Sequence, residues 1–178
     1  MVAASAARAA DYVVVTKDVE VDRPVEAVWK LVGEYRAISE WMQTDCGYLT
    51  GDGGVGTVRR ILRGAVNEVM IAQTSRSYTY LQTRGTMAFA GYHGTLAAEP
   101  VEASRTRLVY TLFYDQTVFV AEADRRAQRE RLDANLQQVL EVMKALAERS
   151  AEATEAPEAP AARTAKSGRA RAPKVRPA

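Results

Sequence analysis

The chain has 178 residues, of which 47% are hydrophobic and 26% charged, with a net charge of +2. At about 100 to 200 residues per domain this is one domain with a surplus, apolar enough to bury a core, which excludes two packed domains and a wholly disordered chain. One cysteine, Cys46, excludes an internal disulfide or a thiolate zinc cluster, and one histidine, His93, excludes a multi-histidine metal centre, leaving only a carboxylate-bound ion.

Residues 1–11 are broken by Arg8 and lack the charged start and apolar centre of a secretory signal. No run of about 18 apolar residues occurs, so a flexible N-terminus and a cytoplasmic protein are expected. From Tyr12 to Asp22 the valines Val13, Val15, Val19 and Val21 fall on one period-2 series, the pattern of a strand. Asp22-Arg23-Pro24 then offers a helix start, with Asp22 as its cap and Pro24 in the first turn. Val25, Val28, Trp29 and Val32 recur at helical spacing, and a second short helix is expected over Glu34 to Ser39. Six strands follow, separated by turn residues, at Thr44 to Leu49, Gly56 to Leu62, Val66 to Thr74, Tyr78 to Thr83, Ala90 to Glu99 and Thr106 to Val118. The run Gly51-Asp52-Gly53-Gly54 reads as a hairpin loop, because neither a helix nor a Lys-Ser/Thr pair follows it as a phosphate loop requires. No cofactor is implied.

From about Ala121 to about Glu148 the period is helical, giving a rod on the order of 40 Å long. Leu132, Leu136, Val139, Leu140, Met143, Leu146 and Ala147 form its apolar stripe, but continued backwards the stripe meets Arg129, Gln128 and Arg125. The first half is therefore expected to border solvent, a partner or a cavity. Beyond residue 149 the composition changes. Residues 150–178 carry six basic and three acidic residues, four prolines, ten alanines and no aromatic residue, and every charge after Glu158 is positive. Such a segment cannot bury enough apolar surface to offset its ordering entropy and is expected to be disordered. Its basic end, 163–178, reads as a solubilising appendage or, alternatively, as a weak and nonspecific site for anionic partners, nucleic acid or acidic lipid, since it has no aromatic ring to stack on a base.

The order strand, two short helices, six strands and long helix, read with the segments DVEVDRPVEAVWKLV, GGVGTVRRI, VNEVM, RSYTY, YHGTL and TRLVY, resembles the START-like or SRPBCC superfamily, in particular its polyketide cyclase/dehydrase-like branch. The strand followed by Pro24, Val28 and Trp29 carries its opening motif, and the resemblance spans residues 12 to 148 of an expected domain at 12–149. What the resemblance implies is an α+β helix-grip fold: a curved antiparallel sheet wrapped around the long C-terminal helix, with a cavity between them. Members include lipid and hormone carriers, quinone-binding proteins and aromatic cyclases, so the fold alone selects no activity.

Strand parity supplies the pocket candidates. Tyr78 and Tyr80 share one face, as do Tyr92, Gly94 and Leu96, and Leu108, Tyr110, Leu112 and Tyr114. Inward tyrosines would give apolar walls with hydroxyl tips, suited to an aromatic ligand; the alternative is that they only fill the core. Gln128 and Leu132 are the helix candidates. Glu68 matches a pocket glutamate of the plant hormone receptors, and Arg59 matches a family arginine one strand earlier. Together they could pair, or divide a polar ligand, and a buried unpaired Glu68 would have a raised pKa suited to acid–base chemistry, with Tyr80 the other catalytic candidate. The alternative is an exposed cross-strand ion pair. The position matching the receptors' acid-binding lysine is Thr44, a departure from their pattern. If Tyr92 and Leu96 face inward, His93 faces outward, away from the chemistry its pKa would suit. Cys46, with no neighbouring histidine in sequence, reads as a small buried residue.

These residues favour the binding of a small hydrophobic or aromatic molecule such as a lipid, isoprenoid, quinone or polyketide-like compound. The alternatives are a cyclase, aromatase or dehydratase that uses Glu68 or a tyrosine, and an interaction protein acting through its basic tail.

Overall fold

The computed structural model describes residues 9–155, and the side chains of residues 9–150. Most of the expected tail, 156–178, and residues 1–8 lie outside that range. The elements are β1 (Tyr12–Val21), α1 (Val25–Val32), α2 (Ile38–Trp41), β2 (Cys46–Thr50), β3 (Val58–Ile61), β4 (Val66–Thr74), β5 (Ser77–Arg84), β6 (His93–Glu102), β7 (Arg105–Asp115) and α3 (Glu122–Glu155). All strands pair antiparallel in one sheet of order β1-β7-β6-β5-β4-β3-β2. The first and last strands are neighbours, and β2 to β7 form a meander. This is the helix-grip architecture, with α3 on the inner face of the sheet.

Alternation drives it. Along β7, Thr106, Leu108, Tyr110, Leu112 and Tyr114 are buried while their odd-numbered neighbours are half-buried on the outer face. Into the same core, α3 presents Leu132, Leu136, Leu140, Met143 and Ala147, and α1 presents Val25, Val28 and Val32. Each of these valine, leucine or methionine side chains is worth about 1.5–3 kcal/mol when fully removed from water.

Several boundaries differ from expectation for local reasons. No side chain caps α1; Pro24 occupies its cap position with φ −57° and ψ 142°, so Asp22 does not serve. The second short helix lies at Ile38–Trp41 rather than Glu34 to Ser39, because Glu34–Ala37 form turns that bring Ile38 and Trp41 into the core. β6 begins at His93, not Ala90, since Ala88–Ala90 form a single 3-10 turn ended by Gly91 at φ 60°. β7 stops at Asp115, whose carboxylate accepts a hydrogen bond from Thr117 N at 2.9 Å and caps a turn at Gln116–Val118. α3 runs on to Glu155.

The polar start of α3 has a structural cause. Arg129 Nη1 donates to Gln116 Oε1 at 2.9 Å, and Arg125 Nε donates to Phe119 O at 2.8 Å, so both arginines bind the connection that leads into the helix. Gln116 in turn donates from Nε2 to Asp11 Oδ2 at 2.7 Å. Gln128 is buried, donates to Met87 Sδ at 3.6 Å and accepts from Arg131 Nη2 at 2.6 Å. The first half of the helix therefore bonds to the chain around it.

Candidate functional site

A cavity of about 170 Å³ lies between the sheet and α3. Its walls are Ile38, Trp41 and Met42 from α2 and its end, Ile61, Leu62 and Val66 around the β3–β4 turn, and Leu132, Leu136 and Val139 of α3. The sheet contributes Glu68, Tyr80, Gln82, Tyr92, Tyr110 and Leu112, and Asn135 of α3 completes it. Met42 and Leu62 are 39% and 44% exposed, so the cavity meets solvent beside them.

The geometry of Glu68 begins with the strand that carries it. β4 pairs with β5 through register shifts at Asn67/Glu68 and Met70/Ala72, and such bulges bend a strand and re-aim its side chains. Glu68 stands opposite Arg59 on β3 and opposite Gln82 on β5. Arg59 is 0% exposed. Its Nε donates to Glu68 Oε2 at 2.8 Å and its Nη1 to Tyr35 O at 2.8 Å. Nη2 stands 2.7 Å from the same Oε2 as an ion-pair contact, off hydrogen-bond alignment. The guanidinium also lies 4.1 Å from the ring centroid of Tyr35 and 5.0 Å from that of Tyr80, a setting that favours a planar cation. Arg59 therefore remains charged. Burial pushes the Glu68 carboxyl up from its usual range, and Arg59 offsets part of that rise. Both contacts land on Oε2, so Oε1 has no protein partner among the described residues.

A second polar group comes from the tyrosines. Tyr80 OH and Tyr110 OH are 2.8 Å apart, and the Tyr92 ring lies 6.5 Å from that of Tyr80. Burial holds all three phenols above their ordinary pKa, so they stay neutral. Gly94 makes this row possible: a Cβ there would stand 2.3 Å from the Tyr80 ring. Beside them Gln82 Oε1 accepts Met87 N at 3.0 Å, which fixes the orientation of the amide and leaves its NH₂ without a protein partner among the described residues.

Of the residues expected from the sequence, Glu68, Tyr80, Tyr92, Tyr110, Leu112 and Leu132 meet around this cavity. Arg59, Tyr78, Leu96 and Gln128 are buried but lie outside its lining, Arg59 and Tyr78 in the layer around Glu68 and Gln128 against Met87. His93 is on the outer face, edge-on to Phe113, with Nδ1 bonded to Gly91 O. Thr44 supports the mouth, its hydroxyl accepting Leu62 N at 3.3 Å. Cys46 is half-buried, and burial pushes its thiol up. Sequence reasoning missed Gln82, which shares the inward parity of Tyr80, and Leu136, already on the helix stripe. It also missed Trp41, for which the displaced α2 left no periodic signal. Among the described residues no cluster of three or more His, Cys, Asp or Glu side chains is placed to hold a metal ion, and no helix is long and apolar enough to cross a membrane.

Solved structures share this architecture. A Streptomyces aromatase/cyclase, ZhuI, is similar over 82% of this chain and 99% of its own, with a TM-score of 0.62 and 22% identity. A norcoclaurine synthase point mutant from Thalictrum flavum is similar over 82% and 99%, with a TM-score of 0.61 and 15% identity. A Thermobifida fusca protein matches over 75% and 94%, with a TM-score of 0.62 and 18% identity. At these identities the likeness is one of fold. No curated protein matches the sequence significantly. Residues 12–148, in contrast, match the family described as polyketide cyclase / dehydrase and lipid transport. With the curved sheet, the gripped helix and the cavity between them, that match over most of the chain makes the protein a member of the polyketide cyclase/dehydrase and lipid transport family.

Proposed function

We propose that this protein binds a small hydrophobic or aromatic molecule in the cavity between the sheet and α3. The observation that carries this reading is the lining itself: aliphatic and aromatic walls from Ile38, Trp41, Ile61, Leu112 and Leu136 around a few convergent polar groups. Apolar enclosure supplies affinity at about 25 cal/mol per Å² of buried apolar surface, and the polar groups supply orientation. Family membership supports the same reading, since it spans lipid transport as well as cyclisation. Native mass spectrometry of the purified full-length chain, followed by organic extraction, tests it. A stoichiometric apolar molecule is the expected result; a protein that is empty and takes up no aromatic probe on titration overturns it.

A second reading, a cyclase, aromatase or dehydratase, is favoured by one observation. Glu68 stands in the cavity wall with a free Oε1 and a carboxyl pushed upward by burial, which suits proton transfer to or from a bound carbonyl compound. Turnover of a poly-carbonyl substrate that disappears in Glu68→Gln while ligand uptake persists would establish it. The third possibility, an interaction through residues 163–178, concerns a segment outside the described residues.

A further inference from the structure

The cavity's unpaired polar atoms restrict which molecules fit, and the restriction rests on reading this cavity as a ligand site. We propose that it selects an uncharged aromatic molecule with a hydrogen-bond donor and an acceptor side by side, as in a carboxamide or a hydroxy-carbonyl compound, held by Glu68 Oε1 and the Gln82 amide NH₂. On this proposal Arg59 is a positioning residue for Glu68 and does not touch the ligand.

Arg59 is fully buried, its contacts go to Glu68 Oε2 and Tyr35 O, and it is absent from the lining. It has no free face to offer a carboxylate. Glu68 keeps one unpaired oxygen, an acceptor. Directly opposite on β5, Gln82 has spent its oxygen on Met87 N and keeps its NH₂, a donor. Glu68 and Gln82 are cross-strand partners and both line the cavity, so the acceptor and the donor rise from paired positions of one wall without bonding each other. A complementary ligand must present a donor beside an acceptor. The tyrosines add a second donor, and Nε1–H of Trp41, a lining residue, is buried without a partner among the described residues and adds a third. Tyr80 and Tyr110 carry two hydroxyl protons and share one hydrogen bond, so one proton is left over, and counting Tyr92 into the row moves that surplus along without removing it.

Charge excludes the alternatives. The Arg59–Glu68 pair is neutral as a unit. A carboxylate ligand would place its charge against Glu68 Oε1, and an ammonium would leave a net positive charge buried beside Arg59; each carries the desolvation cost of an ion without a counter-charge. A neutral ligand carries neither.

Calorimetric titration of the full-length protein with matched probes tests this: naphthamide, acetonaphthone, naphthoate, naphthylmethylammonium and naphthalene. Naphthamide should bind about tenfold or more tightly than acetonaphthone, which lacks the donor, and both charged probes should bind more weakly than acetonaphthone. In Glu68→Gln the charge order should reverse, with naphthoate gaining about tenfold because Arg59 has lost its counter-charge. In Gln82→Leu the advantage of naphthamide over naphthalene should shrink. If Glu68→Gln fails to fold, the wild-type probe order and Gln82→Leu still decide. Naphthoate binding tightest to the wild-type protein, or equal affinities across the series, overturns the proposal while leaving the cavity reading intact. Failure of naphthalene and every other probe to bind overturns both.

Discussion

Among the arginine–carboxylate contacts of the described residues, two sets sit in opposite surroundings. Inside, Arg59 meets Glu68 Oε2 at 2.7 and 2.8 Å, with side-chain exposures of 0% and 5%. On the outer face, Arg105 and Arg107 share contacts of 3.4 to 3.9 Å with Asp18, Glu20, Asp22 and Glu102, all of them at least 38% exposed. The outer set has more partners and looser geometry, and solvent screens it, so each contact is worth about 0–1 kcal/mol. The inner pair is buried, and what holds it is the bond between two charges that neither can leave. Its value lies in placing a carboxylate in the cavity wall, because a pair of apolar residues would stabilise a core equally well.

The sharpest way to break this contrast is to remove one inner partner. Glu68→Ala leaves Arg59 buried without a counter-charge and should cost about 3–5 kcal/mol in denaturant unfolding. Gly94→Ala pushes a methyl into the Tyr80 ring and should cost about 1–3 kcal/mol while loosening the tyrosine row. A further test uses pH. Burial raises Tyr80 and Tyr110 well above 10.0, so their contribution to stability is complete below pH 10 and is lost as pH rises toward their native values. Thermal melts should fall steeply above pH 10, by about 1.4 kcal/mol per pH unit for each such tyrosine, and the double variant Tyr80→Phe/Tyr110→Phe should flatten the slope. Smallest of all, Arg107→Ala on the outer face should change stability by less than about 1 kcal/mol. His93→Asn, on the same face, should leave ligand uptake unchanged in the titration that detects Glu68→Gln; equal losses in both would overturn the assignment of faces.

Much of this was legible beforehand because strand parity is strict. Tyr80, Tyr110 and Leu112 follow from period-2 alternation alone, and Leu132 from the helix stripe. Parity stops at the ends of strands. Tyr92 precedes β6, in a stretch whose backbone is set by the left-handed Gly91, and it still reaches the cavity. Leu96 has the inward parity and is fully buried, yet it lies outside the lining although it stands opposite Tyr110. Gln128 continues the stripe of α3, yet its amide is occupied by Met87 and Arg131, contacts made to the chain around β5 and within the helix. Trp41 was invisible because α2 is four residues long, too short for any period to show.

The sequence by itself determined the element order, the inward faces of the strands and the apolar half of α3, since these depend on spacing along the chain, and its motifs carried the resemblance to the family. Only the tertiary structure decided which carboxylate oxygen stays free, that Arg59 stands outside the cavity lining, and that Gln82 faces Glu68 with its NH₂ unpaired. The physical reason is that periodicity tells a side chain which face to take. Its partners depend on the register between strands, on the bulges that bend β4 and on how closely Gly94 lets Tyr80 approach, and these are properties of the assembled sheet.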